Sequence, residues 1–281
     1  MKTFLDCYPC FVRQALEASR MAGADEQGQR RLLGLVMGEL REIPLDMTPP
    51  EMAGRIHRLV RQELGDGDPY REAKQTSTQQ ALALYPRLRA LVDGSGEPMD
   101  RAVRLAIAGN IIDRGMDLDY DLWETVERVL AQPFAVDDGA ALRAALSGAQ
   151  EVLYLADNAG ETVFDRVLIE TLDVPVRYAV KGGPILNDAT LEDAVAAGVD
   201  RVAALVSTGS NAPGTILSDC SAAFRRVFDQ AELIIAKGQA NYETLSEAGP
   251  RLFFLLQAKC PVIARDVGAG VPVGSIVLKQ G

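Results

Sequence analysis

The sequence predicts an α/β protein, a three-layer α/β/α, Rossmann-like, mostly parallel sheet with an all-α N-terminal region. Three observations predict it. From Gln150 onward, short apolar runs alternate with helical segments at regular spacing. Before that point, apolar residues recur mainly at helical intervals. Polar residues also gather at one end of every core run, and the carboxyl ends of strands are where an open α/β sheet takes its ligand.

The helical half comes first in the chain. "CFVRQALEASRMA" puts Phe11, Ala15, Ala18 and Ala22 on one stripe, and "RRLLGLVMGELREI" repeats it with Leu32, Leu33, Val36 and Leu40. "EMAGRIHRLVRQEL" does so with Met52, Ile56, Leu59, Val60 and Leu64. Thr48 is a suitable N-cap, with prolines in the first turn behind it. "GDGDPY" breaks the chain, and a long helix is predicted from about Tyr70 to Val92. "DGSGEP", from Asp93 to Pro98, is the first candidate linker. Two or three further helices are expected after it, one containing "AIAGNIID".

The strand half follows. The apolar runs are "VLYLA" (152–156), "VRYAV" (176–180), "VAALV" (202–206), "LIIA" (233–236) and "LFFLL" (252–256). Helical segments such as "FDRVLIETL" and "LEDAVAAGV" lie between them, which is a βαβαβ pattern. "VIARDV" and "SIVLKQ" are expected as edge strands. The resulting division is a helical domain over 1–95, a helical segment bordering the site over 96–149, and an α/β core over 150–281.

Composition narrows the function. With 281 residues, 48% of them hydrophobic, the chain can bury a sizeable core. A net charge of −10 repels phosphate polymers, so no nucleic-acid or anionic-membrane partner is expected. No apolar run approaches the roughly 20 residues of a membrane helix. The N-terminus carries Asp6 and no signal-like apolar stretch. Four cysteines do not make a disulfide scaffold, and a reducing cytoplasm is the expected compartment. The single histidine, His57, all but excludes a histidine-based zinc site or triad. A metal here would therefore use oxygen or sulfur donors, and oxygen donors favour hard divalent ions.

The strand ends carry the chemistry. The first core strand runs into Asp157-Asn158 with Glu161 close behind; the second ends in Lys181 and leads to "GGPILNDAT"; the fourth ends in "KGQANYE". Helix capping accounts for one such polar residue per loop, but not for two lysines or for the Asp-Asn pair. Asp157, the Asn158 carbonyl and Asp188 are candidate ligands of one hard divalent ion. Such an ion polarises a phosphoryl oxygen and activates water. Lys237 is the candidate phosphate partner, with Gly238 permitting close backbone approach at a helix N-terminus. Glu161 is expected to orient water or a ligand.

In chain order, "CYPC" (7–10), "DMTPPE" (46–51), "DPYREAK" (68–74), "GNIID" (109–113), "DNAGE" (157–161), "PILNDAT" (184–190) and "KGQANYE" (237–243) resemble the family called domain of unknown function eighty-nine. The likeness covers nearly the whole chain. Members of that family include metal-dependent damage-control phosphatases, and the CxxC start resembles its stand-alone prokaryotic branch. The resemblance implies hydrolysis of small phosphate esters such as phosphosugars. It also implies Asp157, Asn158 and Asp188 as metal ligands and Lys237 on the phosphate. Asn110 and Asp113 look like the family's element that reaches the site from the helical side. The resemblance adds Lys74 to the substrate-facing set, which also holds Lys181, Gly238 and Asn241. Thr78 or Gln79 stands where the family often carries asparagine.

Other residues have plainer expectations. Cys7 and Cys10 lack the preceding strand of a thioredoxin-like motif, and with Cys260 they are either buried inert thiols or an accessory metal or redox group. His57 is expected at the surface or its boundary, and Trp123 in packing. Arg71 and Lys74, three positions apart on one helix face, read more as a solvated stripe than as a ligand site. "STGSNAPG" (207–214) is read as a substrate-side loop. The expected function is a cytoplasmic phosphoric monoester hydrolase that is a monomer or small homo-oligomer. It would use Mg²⁺, Mn²⁺, Co²⁺ or Ni²⁺ and act on a small phosphorylated metabolite. The rivals are a non-catalytic metabolite or metal sensor and a methyltransferase. The latter is disfavoured by a first loop with one glycine and two acids.

Overall fold

Capping chemistry sets the first helices. The computed structural model describes residues 1–44, 46–65, 67–112 and 122–281. Helix α1 spans Tyr8–Met21 and α2 spans Glu26–Arg41, the latter started by Asp25, whose carboxylate accepts from Gly28 N at 2.7 Å. Helix α3, Pro49–Leu64, opens on a full capping box between Thr48 and Glu51 and stops at Gly65, where φ is +97°. The three helices bury Phe11, Ala15, Ala18, Leu32, Val36, Met52, Ile56 and Val60 in one apolar cluster of their own, as the stripes predict.

Helices α4 (Arg71–Asp93) and α5 (Pro98–Ile112) behave differently. Ala81, Leu88 and Val92 of α4 and Ala102, Val103, Leu105, Ala106, Ile107 and Ala108 of α5 belong to the cluster that covers one face of the sheet. The break at 93–98 is therefore a turn between two packed helices rather than a hinge between separate cores.

After α6 (Leu122–Ala131) the chain makes β1 (Phe134–Asp137), inside the segment expected to be helical, so the sheet starts before residue 150. Helix α7 (Gly139–Gly148) leads to β2 (Val152–Leu155), α8 (Thr162–Ile169), β3 (Val176–Val180), α9 (Leu191–Ala196) and β4 (Ala204–Ser207). Then come α10 (Ala222–Gln230), β5 (Leu233–Lys237), α11 (Gly238–Leu245), β6 (Leu252–Gln257), α12 (Pro261–Val267) and β7 (Ile276–Gln280). "VIARDV" is thus helix, not strand. Pro261 at its first turn is pre-set for a helix, and Val262, Ile263, Ala264 and Val267 bury one face.

Among the described residues the strands form one seven-stranded sheet, in the order β1-β7-β6-β5-β2-β3-β4. Pairings are parallel except β6–β7. β7 is an inner strand and not an edge. Helices on both faces complete the α/β/α layers. From β2 the chain proceeds outward through β3 and β4, then returns to the other side of β2 as β5. The order reverses between β2 and β5, and such a switch point, at the carboxyl ends of the strands, is where open α/β sheets place their ligand crevice. Among the described residues no helix is long and apolar enough to cross a membrane.

His57 is buried, at 4% exposure, and its Nε2 has no hydrogen-bond partner. The surface expectation fails because residue 57 follows the buried Ile56 onto a face of α3 that is also covered. Burial first, and Arg61 second, push its pKa down to about 4. A depressed folded-state pKa means stability that is present above pH 6.5 and is lost as pH falls through 4. Urea unfolding from pH 7.5 to 4.5 is expected to show this loss, up to about 3 kcal/mol. In His57→Gln that contribution to the acid slope disappears.

Candidate active site

The loop after β2 and the loop after β3 are stitched side by side. The Asp157 carbonyl accepts from Ala189 N at 2.8 Å, and Ala159 N donates to the Asn187 carbonyl at 2.9 Å. Asn158 consequently pairs with Asp188 as an isolated bridge. This brings all three expected metal-ligand residues to the crevice, each at most 7% exposed.

Asp157 and Glu161 are joined by two amides. Asn110 Nδ2 on α5 donates to Asp157 Oδ2 at 2.6 Å and to Glu161 Oε2 at 2.9 Å. Asn158 Nδ2 donates to the same two oxygens at 3.1 and 3.0 Å. Both amides are therefore oriented with nitrogen toward the acids. Asn110 Oδ1 is left buried with no hydrogen-bond partner. Asp188 Oδ2 has none either, with Lys181 Nζ at 3.4 Å as an ion-pair neighbour.

Electrostatics follow from the crowding. Burial and the charge of Glu161 raise the pKa of Asp157. Burial raises Asp188 to about 7 against the pull of Lys181, with Asp157 adding to the rise. Like charges sharing a dry site favour protonation of one of them or the arrival of a cation.

Gly238 is demanded by geometry. Its φ is +76°, and a Cβ there would collide with Asp157 Oδ2 and lie 3.0 Å from Asn110 Nδ2. Gly182 plays the same part farther along, where a Cβ would lie 2.6 Å from the Gly209 backbone.

Residues 3–272 match the damage-control phosphatase ARMT1-like domain. The chain belongs to that family. A damage-control phosphatase of Pyrococcus horikoshii is 37% identical over 99% of this chain and 97% of its own. An uncharacterised protein of Methanocaldococcus jannaschii is 35% identical over 97% and 93%. The crystal structure of a DUF89 family protein from P. horikoshii superposes with a TM-score of 0.90 at 35% identity, covering 100% of this chain and 99% of that one. The damage-control phosphatase ARMT1-like fold is thus the one expected from the motifs.

Within it, several site residues stand differently from the sequence reading. Lys237 is fully enclosed: Nζ donates to Glu161 Oε1 at 2.5 Å, Asp165 Oδ1 at 2.6 Å and the Ala106 carbonyl at 2.8 Å. Its three hydrogens are spent inside the protein, so in this arrangement it has none to offer a phosphate. Asn241 is fully buried as a tie between strand ends, donating to the Ala156 and Lys237 carbonyls and accepting from Thr215 Oγ1. Lys74 is no solvated stripe. It is 4% exposed and paired with Asp68 at 2.9 Å and Asp193 at 3.0 Å, while Arg71 reaches the exposed Glu192. Thr78 is buried beside Lys74, along a groove between α4 and α9. Lys181 Nζ meets the Gly214 carbonyl as well as Asp188. Asp113 lies outside the described residues.

In the 207–214 loop, Gly209 N, Ser210 N and Ala212 N donate to the loop's own hydroxyls, so these amides are not turned to a ligand. Cys7 stands at the N-cap position of α1 without a side-chain capping bond, close to Cys10, Cys260 and Glu243, and burial raises its pKa where a helix N-terminus alone would lower it. Asp165 was missed by the sequence reading. Its signal was an acid inside the apolar helix "TVFDRVLI", facing strands that each carry a tyrosine.

Gly238→Ala combines left-handed strain with a clash, and a loss of about 2–4 kcal/mol in denaturant unfolding is expected. Gly270→Ala, at φ +80° with open space, is the control and should lose only about 1 kcal/mol.

Proposed function

We propose that this chain is a divalent-metal-dependent phosphatase that hydrolyses phosphate monoesters of small metabolites, phosphosugars or related damaged phosphometabolites. The observation that carries the reading is the meeting of Asp157, Asn158 and Asp188 at the switch point, with Asp188 Oδ2 buried and lacking a hydrogen-bond partner. Two relatives' names, damage-control phosphatase in Pyrococcus horikoshii and in Archaeoglobus fulgidus, support the reaction class.

The donor set fits the ion. Two carboxylates and an amide oxygen are hard donors, and a buried carboxylate oxygen that has no hydrogen bond and only the Lys181 ammonium at 3.4 Å is stabilised further by a metal ion. Asp157, Asn158 and Asp188 would hold it, with water completing the shell as Mg²⁺-type ions prefer. When bound, it supplies Lewis acidity toward phosphoryl oxygens and acidifies water.

The chain's own residues do the rest. Glu161 and Asn110 fix the amide of Asn158 and one oxygen of Asp157, so those groups need no reorganisation as charge moves to the leaving oxygen. Lys181, beside Asp188, is the ammonium best placed to balance phosphoryl charge. It takes the part that sequence reasoning gave to Lys237. Asn110 Oδ1 is buried and unpartnered, so an acceptor role toward a substrate hydroxyl would need a local opening. Covered walls around the crevice keep bulk water from competing.

The test is phosphate release from a panel of phosphosugars and nucleotides, with EDTA and then each divalent ion restored. Release is expected only with an ion. Asp157→Ala should lower it by about 10²-fold or more while the unfolding midpoint stays within about 1 kcal/mol of wild type. Absence of release with every ion, from folded protein, would overturn the reading. A second expectation concerns stability. At pH 8 the ionised Asp188 is held against its own raised pKa, so metal-free Asp188→Asn should be more stable than wild type by about 1–4 kcal/mol. The variant should also lose the rise in melting temperature that Mn²⁺ gives the wild type.

A further inference from the structure

Behind the three candidate metal ligands lies a second polar cluster, joined to them through Lys237 and Glu161. Asp165 on α8 is fully buried. Tyr154 OH on β2 donates to its Oδ1 at 2.7 Å, and Tyr178 OH on β3 donates to its Oδ2 at 2.7 Å. The two tyrosines are register partners on neighbouring strands, with ring centroids 5.3 Å apart. Lys237 Nζ completes the cluster at 2.6 Å from Asp165 Oδ1. Lys237 then holds Glu161 Oε1, and Glu161 Oε2 receives the amides of Asn158 and Asn110.

Resting on the reading of the site given above, we propose that Asp165 is a positioning residue. Through Lys237 and Glu161 it fixes the side-chain amides of Asn158 and Asn110, and with them the direction in which their oxygens face the crevice.

Stability alone does not call for this arrangement. Burying an ammonium and two carboxylates costs several kcal/mol per ion, and well-packed apolar residues commonly do as well or better. What the cluster supplies is direction. Two hydroxyls from two strands set both oxygens of Asp165, and three acceptors set Lys237, so Glu161 is pulled from behind toward one place. Without Asp165, Lys237 is free to follow Glu161, and the two amides lose a fixed acceptor.

The test needs neither metal nor substrate. Side-chain amide exchange of Asn158 and Asn110 is followed by ¹⁵N NMR, with signals assigned by Asn158→Asp and Asn110→Asp. Wild type is expected to show both amides protected. Asp165→Asn and Tyr178→Phe are expected to keep the backbone spectrum of the folded protein while these amides exchange at least about tenfold faster, an effect of local opening. Tyr178→Phe loses a single hydroxyl and serves if Asp165→Asn fails to fold. Mn²⁺ binding by electron paramagnetic resonance accompanies it, and the variants should bind at least about tenfold more weakly. Unchanged protection of both amides in a folded variant overturns the proposal, whatever the metal does. A wild type with protected amides but no Mn²⁺ binding and no phosphate release sinks the phosphatase reading, while the amide comparison still decides the role of Asp165.

Discussion

Lys237 Nζ is enclosed by Glu161, Asp165 and the Ala106 carbonyl, and much of the interior is arranged to keep that ammonium compensated. Its backbone ends β5 and begins α11. Glu161 and Asp165 sit at the start of α8, Ala106 in the middle of α5, and the tyrosines on β2 and β3. One charge therefore ties the sheet to α5 and α8. Burial alone would lower the pKa of this lysine; Asp165 and Glu161 outweigh it, and the net shift is upward. An uncompensated charge at this depth would be strongly destabilising, so the surrounding elements are constrained together.

Backbone approach is the second constraint, and it acts through the absence of side chains. Gly238 lies against Asp157, Gly182 against Gly209, and Gly160 under Ser77 of α4. The last contact matters most for assembly. A Cβ on Gly160 would strike Ser77 Oγ, so α4 and the acid-bearing loop after β2 meet without a gap. The loop after β2 is thus packed against α4 as well as against the loop after β3.

Much of this was legible in the sequence because periodicity reports burial. The five core strands lie within a residue or two of their apolar runs, and Phe11, Leu32, Val36, Met52 and Ile56 are buried as their spacing requires. The short β1 was not legible: four residues of alternating burial beside a helix carry little pattern. Nor was the inner place of β7, since strand order is a long-range property. For the site, the motifs led to Asp157, Asn158, Glu161 and Asp188, because acids at strand ends are conspicuous. At Lys237 and Lys74 they did not reveal the acids that hold each ammonium. A lysine in sequence shows its charge but not its partners: Lys237 is engaged by Glu161 and Asp165, and Lys74 by the distant Asp193 as well as by the nearby Asp68. Asp165 was overlooked for the opposite reason, since its partners are hydroxyls inside strands that read as purely apolar.

The separate apolar cluster of α1, α2 and α3 has a consequence for cooperativity. These helices share few of their buried residues with the sheet, and α3 rests on α11 and, through Gly54, on Ala212. A unit with its own core and a modest seam opens at a lower free energy than the sheet beneath it. Amide exchange should then divide the molecule into an early-exchanging three-helix unit and a late-exchanging sheet. Partial unfolding of the first would bare the α11 end of the crevice while leaving the Lys237 cluster intact.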